Sequence, residues 1–295
     1  MRHEWLSCAR GLYPGLTLVA TLLLSVHVRA QEPSPIAHSS VAYGARDIAA
    51  AWLAAPTRRY GHGVLGDDIE AGALYVQTRD GTQYSVRLDD DSVFEDLTPR
   101  LADIDRDGLD EVWTVRSDAA AGARLEAYAL ADGALKRRFS TAPIGTGYRW
   151  LNPVGIADFD GDGKREAAYV QTPHIGGILT IVRPDGARLA LVARRRGYST
   201  HAAGSTRLDL AAIADLDRDG RADIVLPDQS RTRLVAVSLA DGELVERWQS
   251  APGPAVAGSL QLELSGDAWL AHYLGYDGAV VTTEIHQKGL RPLPR

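Results

Sequence analysis

From residue 60 onward the apolar positions fall in short runs of strand length, each bounded by turn residues. Ala73-Leu74-Tyr75-Val76, Val112-Trp113-Thr114-Val115, Ala167-Ala168-Tyr169-Val170, Ile178-Leu179-Thr180-Ile181-Val182, Ile224-Val225-Leu226 and Val280-Val281-Thr282-Thr283 are the clearest. Asp-Gly pairs begin at residues 80, 132, 185, 241 and 277, which spaces them 52, 53, 56 and 36 apart. Both residues tolerate positive φ, so Asp-Gly between two apolar runs predicts a two-residue hairpin turn. The regular spacing predicts an all-β chain of five similar antiparallel units of about four strands, the last one shortened. Residues 46–58, with Ile48, Trp52 and Leu53 among alanines, fit either a short helix or a first strand.

A second pattern repeats with the first. Asp103-Ile104-Asp105-Arg106-Asp107-Gly108-Leu109-Asp110-Glu111 has counterparts starting at Asp158 and Asp215, so the three copies are 55 and 57 residues apart. Acids stand at positions 1, 3 and 5 (Asp103, Asp105, Asp107; Asp158, Asp160, Asp162; Asp215, Asp217, Asp219), glycine at position 6, and a further acid at position 9 (Glu111, Glu166, Asp223). Such a turn wraps a hard cation in oxygen ligands, and calcium tolerates its irregular geometry better than magnesium does. Leu109, Lys164 and Arg221 at position 7 would each offer a backbone carbonyl, which leaves their side chains free to vary. An EF-hand needs Glu at position 12. Here that position holds Thr114, Tyr169 and Leu226, and strand-like runs rather than helices flank each loop. About three calcium sites are expected, each joining two strands. Residues 64–70 and 262–267 lack the three-acid turn, so the first and fifth units are expected to carry no ion.

The pattern of apolar residue, alanine, three alternating aspartates, glycine, acid and apolar run resembles the FG-GAP or VCBS-type repeat over residues 60–240. That family builds the blades of calcium-binding β-propellers, including the head of the integrin α-subunit. The resemblance implies a propeller of about five four-stranded blades over residues 46–295, with one calcium per intact loop held between the first two strands of a blade. Residues near the N-terminus would then complete a blade with residues near 280–290. The resemblance implies nothing about a substrate.

The N-terminus reads as an export signal. Arg2, His3 and Arg10 precede an apolar stretch from Gly15 to Val26, and Val28-Arg29-Ala30 forms a small-residue cleavage site before Gln31. Residues 1–30 are therefore expected to leave as a signal peptide, residues 31–45 to form a flexible leader, and the chain to be secreted or periplasmic without spanning a membrane. Cys8 is the single cysteine and lies inside that signal, so the mature chain has no disulfide and no thiol chemistry. Calcium is abundant outside the cytosol and can stabilise such a fold by binding only its folded state. Losing Arg2, Arg10, Arg29 and Glu4 takes the formal charge from −6 to −8. The basic triplets at 136–138 and 194–196 are short and isolated, which argues against nucleic acid as a partner.

Propeller ligands gather at the mouth where loops precede the first strands. That position nominates His62, Arg100, Asn152 and Asp209, together with Arg149 and Trp150, whose aromatic and cationic groups suit a sugar or a carboxylate. Trp150 also fits a packing role between blades. His174 and His201 fall in connections and read as surface residues. Neither a Gly-x-Ser-x-Gly elbow, a His-Glu-x-x-His zinc motif nor a glycine-rich phosphate loop is present. These features predict a monomeric, non-catalytic module that binds a protein, glycan or envelope component. The alternative is an exported hydrolase or lyase acting on a polysaccharide or ester at the mouth.

Overall fold

A computed structural model describes residues 33–291, and within them the chain is all-β apart from one short 3-10 turn at Gln287–Gly289. The expected signal peptide and its cleavage site lie outside the described residues. No helix among the described residues is long and apolar enough to cross a membrane.

Twenty strands follow one another in antiparallel meanders. The first unit holds β1 (Ala42–Tyr43), β2 (Ile48–Thr57), β3 (Glu70–Thr78) and β4 (Gln83–Arg87), and β5 (Ser92–Phe94) leads out of it. Ile48, Trp52 and Leu53 thus lie on a strand rather than a helix. The second unit is β6 (Arg100–Ala102), β7 (Glu111–Asp118), β8 (Gly122–Ala131) and β9 (Ala134–Ser140). The third is β10 (Leu151–Ala157), β11 (Glu166–Gln171), β12 (Ile178–Asp185) and β13 (Arg188–Arg196). The fourth is β14 (Ala212–Ala214), β15 (Asp223–Pro227), β16 (Leu234–Ala240) and β17 (Glu243–Gln249). The fifth has only β18 (Val256–Ser265), β19 (Ala268–Gly275) and β20 (Val280–His286).

Each Asp-Gly pair sits at a hairpin. At 132–133 and 241–242 both residues have positive φ (50° and 71°, 51° and 77°), the geometry whose twist matches the flanking strands. Units two, three and four also share a register shift between their third and fourth strands, at Ala127/Tyr128, Ile181/Val182 and Ala236/Val237.

Apolar side chains point both ways along the middle strands because each sheet is covered on both faces. Val112 and Tyr128 pack towards Ile48, Leu53 and Leu74 of the first unit, whereas Trp113, Val115 and Leu125 pack towards Leu151 and Tyr169 of the third. Ala168 and Val170 then meet Ile224 and Leu226 of the fourth, and Val225 meets Tyr273 and Ile285 of the fifth. Four cores therefore join five units in chain order. This explains the near-continuous apolar runs in the sequence, since a strand buried on both faces has no polar alternation to show.

Two expectations about the sheets need correction. Hydrogen bonding does not keep the units as separate blades. β5 pairs with both β3 and β7, and a single bridge links β13 to β9, so the first three units share one 13-stranded sheet. Nor do N-terminal residues close a ring. Among the described residues β1 bonds to β2 within its own unit, at Ala42–Ala51 and Tyr43–Ala50, and β20 bonds only to β19. Ala42 and Tyr43 have already given their ladder bonds to β2. The outer edge of β20 carries Glu284 and His286, polar side chains of the kind that keep an edge strand from pairing further.

Candidate functional site

The acidic loops occupy the turns between β6 and β7, β10 and β11, and β14 and β15, all at one end of the units. Their backbones follow one template. Positions 4 and 6 are left-handed in every copy: Arg106 and Gly108, Gly161 and Gly163, Arg218 and Gly220. The position-6 amide donates to the first aspartate, with Gly108 N–Asp103 Oδ2 at 3.2 Å, Gly163 N–Asp158 Oδ2 at 2.9 Å and Gly220 N–Asp215 Oδ2 at 3.0 Å. Amides of Leu109, Lys164 and Arg221 donate to the fifth-position carboxylates of Asp107, Asp162 and Asp219 at 2.8, 2.8 and 2.9 Å. The ninth-position acids Glu111, Glu166 and Asp223 each accept from the position-2 amide at 3.0 Å. Those position-2 residues, Ile104, Phe159 and Leu216, are buried and pin each loop to a core.

Carboxylate oxygens of Asp103, Asp105 and Asp107 approach within 4.8 Å of one another, as do those of Asp158, Asp160 and Glu166, and of Asp215, Asp217 and Asp223. Burial, with neighbouring acids adding to it, pushes Glu111 and Glu166 up to about 7 and Asp223 up to about 6. The residues fit a hard cation on a further ground: Asp103 is buried, yet its Oδ1 has no hydrogen-bond partner, and the Oδ1 atom of the partly exposed Asp217 is likewise shielded and unpartnered. An unpartnered buried carboxylate oxygen is costly unless something neutralises it. Adjacent loops are also tied together, since Arg165 donates to the Asp103 carbonyl at 2.5 Å and Ala222 N to the Asp158 carbonyl at 2.9 Å.

At the opposite end of the strands a different cluster forms. His62, in the β2–β3 connection, shares a 2.6 Å hydrogen bond through Nδ1 with Glu95 Oε1. Glu95 is fully buried, and its other oxygen accepts from the Ser117 hydroxyl. Burial first, and then the nearby Asp96, hold the Glu95 carboxyl above its ordinary range, although His62 and Ser117 pull it down. The buried Glu70 is pushed up to about 10, by burial and then by Glu95, Asp67 and Asp96.

Tyr60 is buried beside this pair and stacks on Tyr148 with ring centroids 5.0 Å apart. Tyr148 takes φ 55°, a rare region for a bulky residue. Its amide donates to the Tyr60 hydroxyl at 3.0 Å, which holds that conformation, and its ring stays 47% exposed. Trp150 extends the cluster. Its Nε1 donates to the Glu95 carbonyl at 2.8 Å, and its ring lies 6.1 Å from His174 and 4.8 Å from His201. His174 Nε2 and His201 Nδ1 are 2.6 Å apart, and His201 Nε2 lies 2.8 Å from the Ser205 carbonyl. A carbonyl only accepts, so His201 carries its proton on Nε2 and accepts at Nδ1. His174 then donates from Nε2 and keeps a lone pair on Nδ1. Burial depresses both imidazoles to about 4, so both are neutral at pH 7. Gly177 permits the fold here: a Cβ on it would sit 1.6 Å from the Tyr198 carbonyl oxygen, in the connection that presents His201.

The structure divides the residues nominated as a mouth. His62 and Trp150 meet in the cluster. Asn152, buried, uses its Nδ2 to hold the 198–210 connection, reaching the Thr200 carbonyl at 3.1 Å and the Leu208 carbonyl at 3.2 Å. Arg149 is exposed and donates to the Tyr148 carbonyl at 3.0 Å. Arg100 and Asp209 lie apart from these, on a separate cavity of about 430 Å³ with His38, Pro153, Arg207 and Leu208. Arg100 is bound to the buried Asp96 at 2.6 Å and Asp209 lies 3.7 Å from Arg207. His62, Arg100 and Asp209 therefore do not converge.

His201 is fully buried and His174 half-buried, so the surface reading of these connections is corrected. Tyr60, Glu95, Glu70 and Asp96 were not legible as site residues. The one available signal was a pair of acids, Glu95-Asp96, set between apolar Val93-Phe94 and Leu97.

No protein-family model and no curated protein sequence matches the chain. Among solved structures it is similar to rhamnogalacturonan lyase YesW, with 18% identity and a TM-score of 0.41 over 70% of this chain and 44% of that one. It is also similar to a Bacillus licheniformis rhamnogalacturonan lyase (20% identity, TM-score 0.40, 72% of this chain and 43% of that one). The exotype rhamnogalacturonan lyase YesX is a third (22% identity, TM-score 0.41, 73% and 43%). The chain spans less than half the length of these proteins, and at such TM-scores the likeness carries no argument about fold or function.

Proposed function

We propose that this chain is an exported, calcium-stapled repeat protein built on the plan of FG-GAP or VCBS-type propeller blades, and that its histidine–aromatic end engages a polysaccharide. Five successive meanders joined by four shared cores support the blade plan. Three acidic turns with the same backbone hydrogen bonds, two of them with an unpartnered buried oxygen, support calcium. The ion would be held by Asp103, Asp105, Asp107 and Glu111, and by their counterparts in the other two loops, and would supply charge neutralisation that locks pairs of strands.

The observation that carries the polysaccharide reading is Tyr148. It is an exposed aromatic ring, backed by Tyr60, fixed in a rare backbone conformation, and set beside the hydrogen-bonded His62–Glu95 pair. Sugars present apolar C–H faces that stack on such rings, with polar groups at the rim to bind hydroxyls or carboxylates. A catalytic version of this reading, as a lyase or hydrolase, rests on His62. Glu95 holds its Nδ1, which leaves Nε2 to take a proton from a bound sugar. The non-convergence of His62, Arg100 and Asp209 favours binding over catalysis.

Affinity electrophoresis in calcium against rhamnogalacturonan, polygalacturonate and a neutral glucan tests the reading. Retardation by at least one polymer is expected, and Tyr148→Ala should abolish it while leaving the melting temperature within a few degrees. A chain that none of the polymers retards would refute it. Growth of the ultraviolet absorbance of unsaturated uronate ends, lost in His62→Gln, would assign the lyase; retardation without products would assign the binding module.

A further inference from the structure

The three acidic loops share one backbone template but not one electrostatic surrounding. An arginine from the third or fourth strand of the same unit reaches the third-position aspartate in every copy, and the reach differs. Arg138, on β9, donates to Asp105 Oδ2 at 3.0 Å, is half-exposed, and rests on the Phe139 ring at 5.0 Å. Arg247, on β17, donates to Asp217 Oδ2 at 2.8 Å, while its Nε is committed to the Arg291 carbonyl at 2.6 Å. Arg183, on β12, contacts three carboxylates of its loop: Asp160 Oδ2 at 2.5 Å, Glu166 Oε1 at 2.9 Å and Asp162 Oδ2 at 3.4 Å. The orphaned oxygens follow the same division. Asp103 Oδ1 and Asp217 Oδ1 are buried and unpartnered in the outer two loops, whereas among the described residues no buried oxygen of the 158–166 carboxylates is left without a partner.

We propose that Arg183 is a tethered competitor for calcium, so that three loops of one sequence pattern bind the ion unequally. This rests on the calcium reading above. In the 103–111 and 215–223 loops an oxygen is already free for the ion and one hydrogen-bonded guanidinium must be exchanged, while a second arginine in each stands only at ion-pair distance, Arg46 3.9 Å from Asp103 and Arg221 3.8 Å from Asp219. In the 158–166 loop the guanidinium fork lies across the third, fifth and ninth positions, where a calcium ion would sit. Binding there requires Arg183 to swing away and give up three charge-assisted contacts. Mutual repulsion between a divalent ion and a guanidinium left a few ångströms away adds to that penalty. The same contacts keep this middle loop, which joins its neighbours on both sides through Arg165 and Ala222, folded when calcium is scarce.

Calcium titration of the purified protein, read by calorimetry and by native mass spectrometry, tests this. Wild type is expected to take two ions, with a third about tenfold weaker. Arg183→Met should take three ions of similar affinity, and should melt lower than wild type in chelator but not in calcium. Arg183→Lys keeps the charge but lacks the fork, so it should fall between them; it also reads the same property should the methionine variant fail to fold. Three equal sites in wild type, or a third site unchanged in both variants, would overturn the role of Arg183 while leaving calcium binding intact. Absence of calcium binding in wild type and variants alike would instead remove the calcium reading, and this inference with it.

Discussion

The two ends of the strands are built on opposite principles. At the acidic end one nine-residue pattern is written three times, and each copy assembles its own site from neighbours in sequence: the first aspartate, the sixth amide and the ninth acid close on one another through contacts five to seven residues apart. At the histidine–aromatic end nothing repeats. Tyr60 and His62 come from the first unit, Glu95 from the link that follows it, Tyr148, Trp150 and His174 from the third unit, and His201 from the connection to the fourth. Losing one copy at the acidic end would leave two others of the same pattern. The other end is a single constellation held by contacts 27 to 88 residues apart. The difference teaches where stability and specificity are kept: modular charge in the repeats, and a one-off arrangement where the repeats leave their tops unlike.

Substitution at the unrepeated end should have the largest effect. Trp150 is buried at 2% exposure, packs between the second and third units, and donates to Glu95. Trp150→Ala is expected to destabilise by about 3–5 kcal/mol, as large-to-small core changes do, with or without calcium. Denaturant unfolding measures it; a change below about 1 kcal/mol would show that the cluster is not tied to the core.

Metal removal acts on the repeated end. Each site that is filled at a hundredfold excess over its dissociation constant contributes about 2.7 kcal/mol. Excess chelator should therefore lower the melting temperature, and added calcium should restore it. An unchanged melting temperature would leave the acidic turns as solvated loops.

The smallest effect separates the acidic loops from the His174–His201 pair by the sign of their pH response. Glu111 and Glu166 have folded values near 7, above the ordinary 4.5, so the metal-free folded state binds more protons than the unfolded chain between those limits. Their contribution is present below pH 4.5 and is lost as pH rises through 7. His174 and His201 have folded values near 4, below the ordinary 6.5, so their contribution is present above pH 6.5 and is lost as pH falls through 4. In chelator, the melting temperature should fall from pH 6 to pH 8, and Asp223, raised to about 6, adds to that fall. Calcium should remove the share of this alkaline fall that Glu111, Glu166 and Asp223 supply, and leave in place both the share of the buried Glu70, raised to about 10, and the acid-side loss. A melting curve that rises from pH 6 to pH 8 in chelator would break the assignment of those acids.

Much of the acidic end was legible in the chain itself. The three loops, their boundaries and their fifteen positions could be read from spacing because every partner lies within nine residues. Five Asp-Gly hairpins were readable for the same reason, since positive φ is a property of the two residues in the turn. Arg138, Arg183 and Arg247 were not, because a register of paired strands, and no local signal, brings them over the acids. Glu95 and Asp96 sit in an apolar stretch and looked like an interruption in a strand. Only the approach of His62 from 33 residues away and of Ser117 from 22 residues away gives Glu95 its partners.

Patterning alone thus determined that this chain is all-β, that it proceeds in five similar units, and that three of its turns are acidic and metal-like, because hairpin and loop chemistry is settled by residues adjacent in sequence. The tertiary structure decided the rest. It merged the first three units into one sheet, left β20 without a second partner among the described residues, set Arg183 across one loop and not across its neighbours, buried His201, and separated Arg100 and Asp209 from His62. Each of these depends on which distant surfaces meet when the units stack, and burial, charge pairing and tautomer follow from that meeting rather than from any residue's own neighbours.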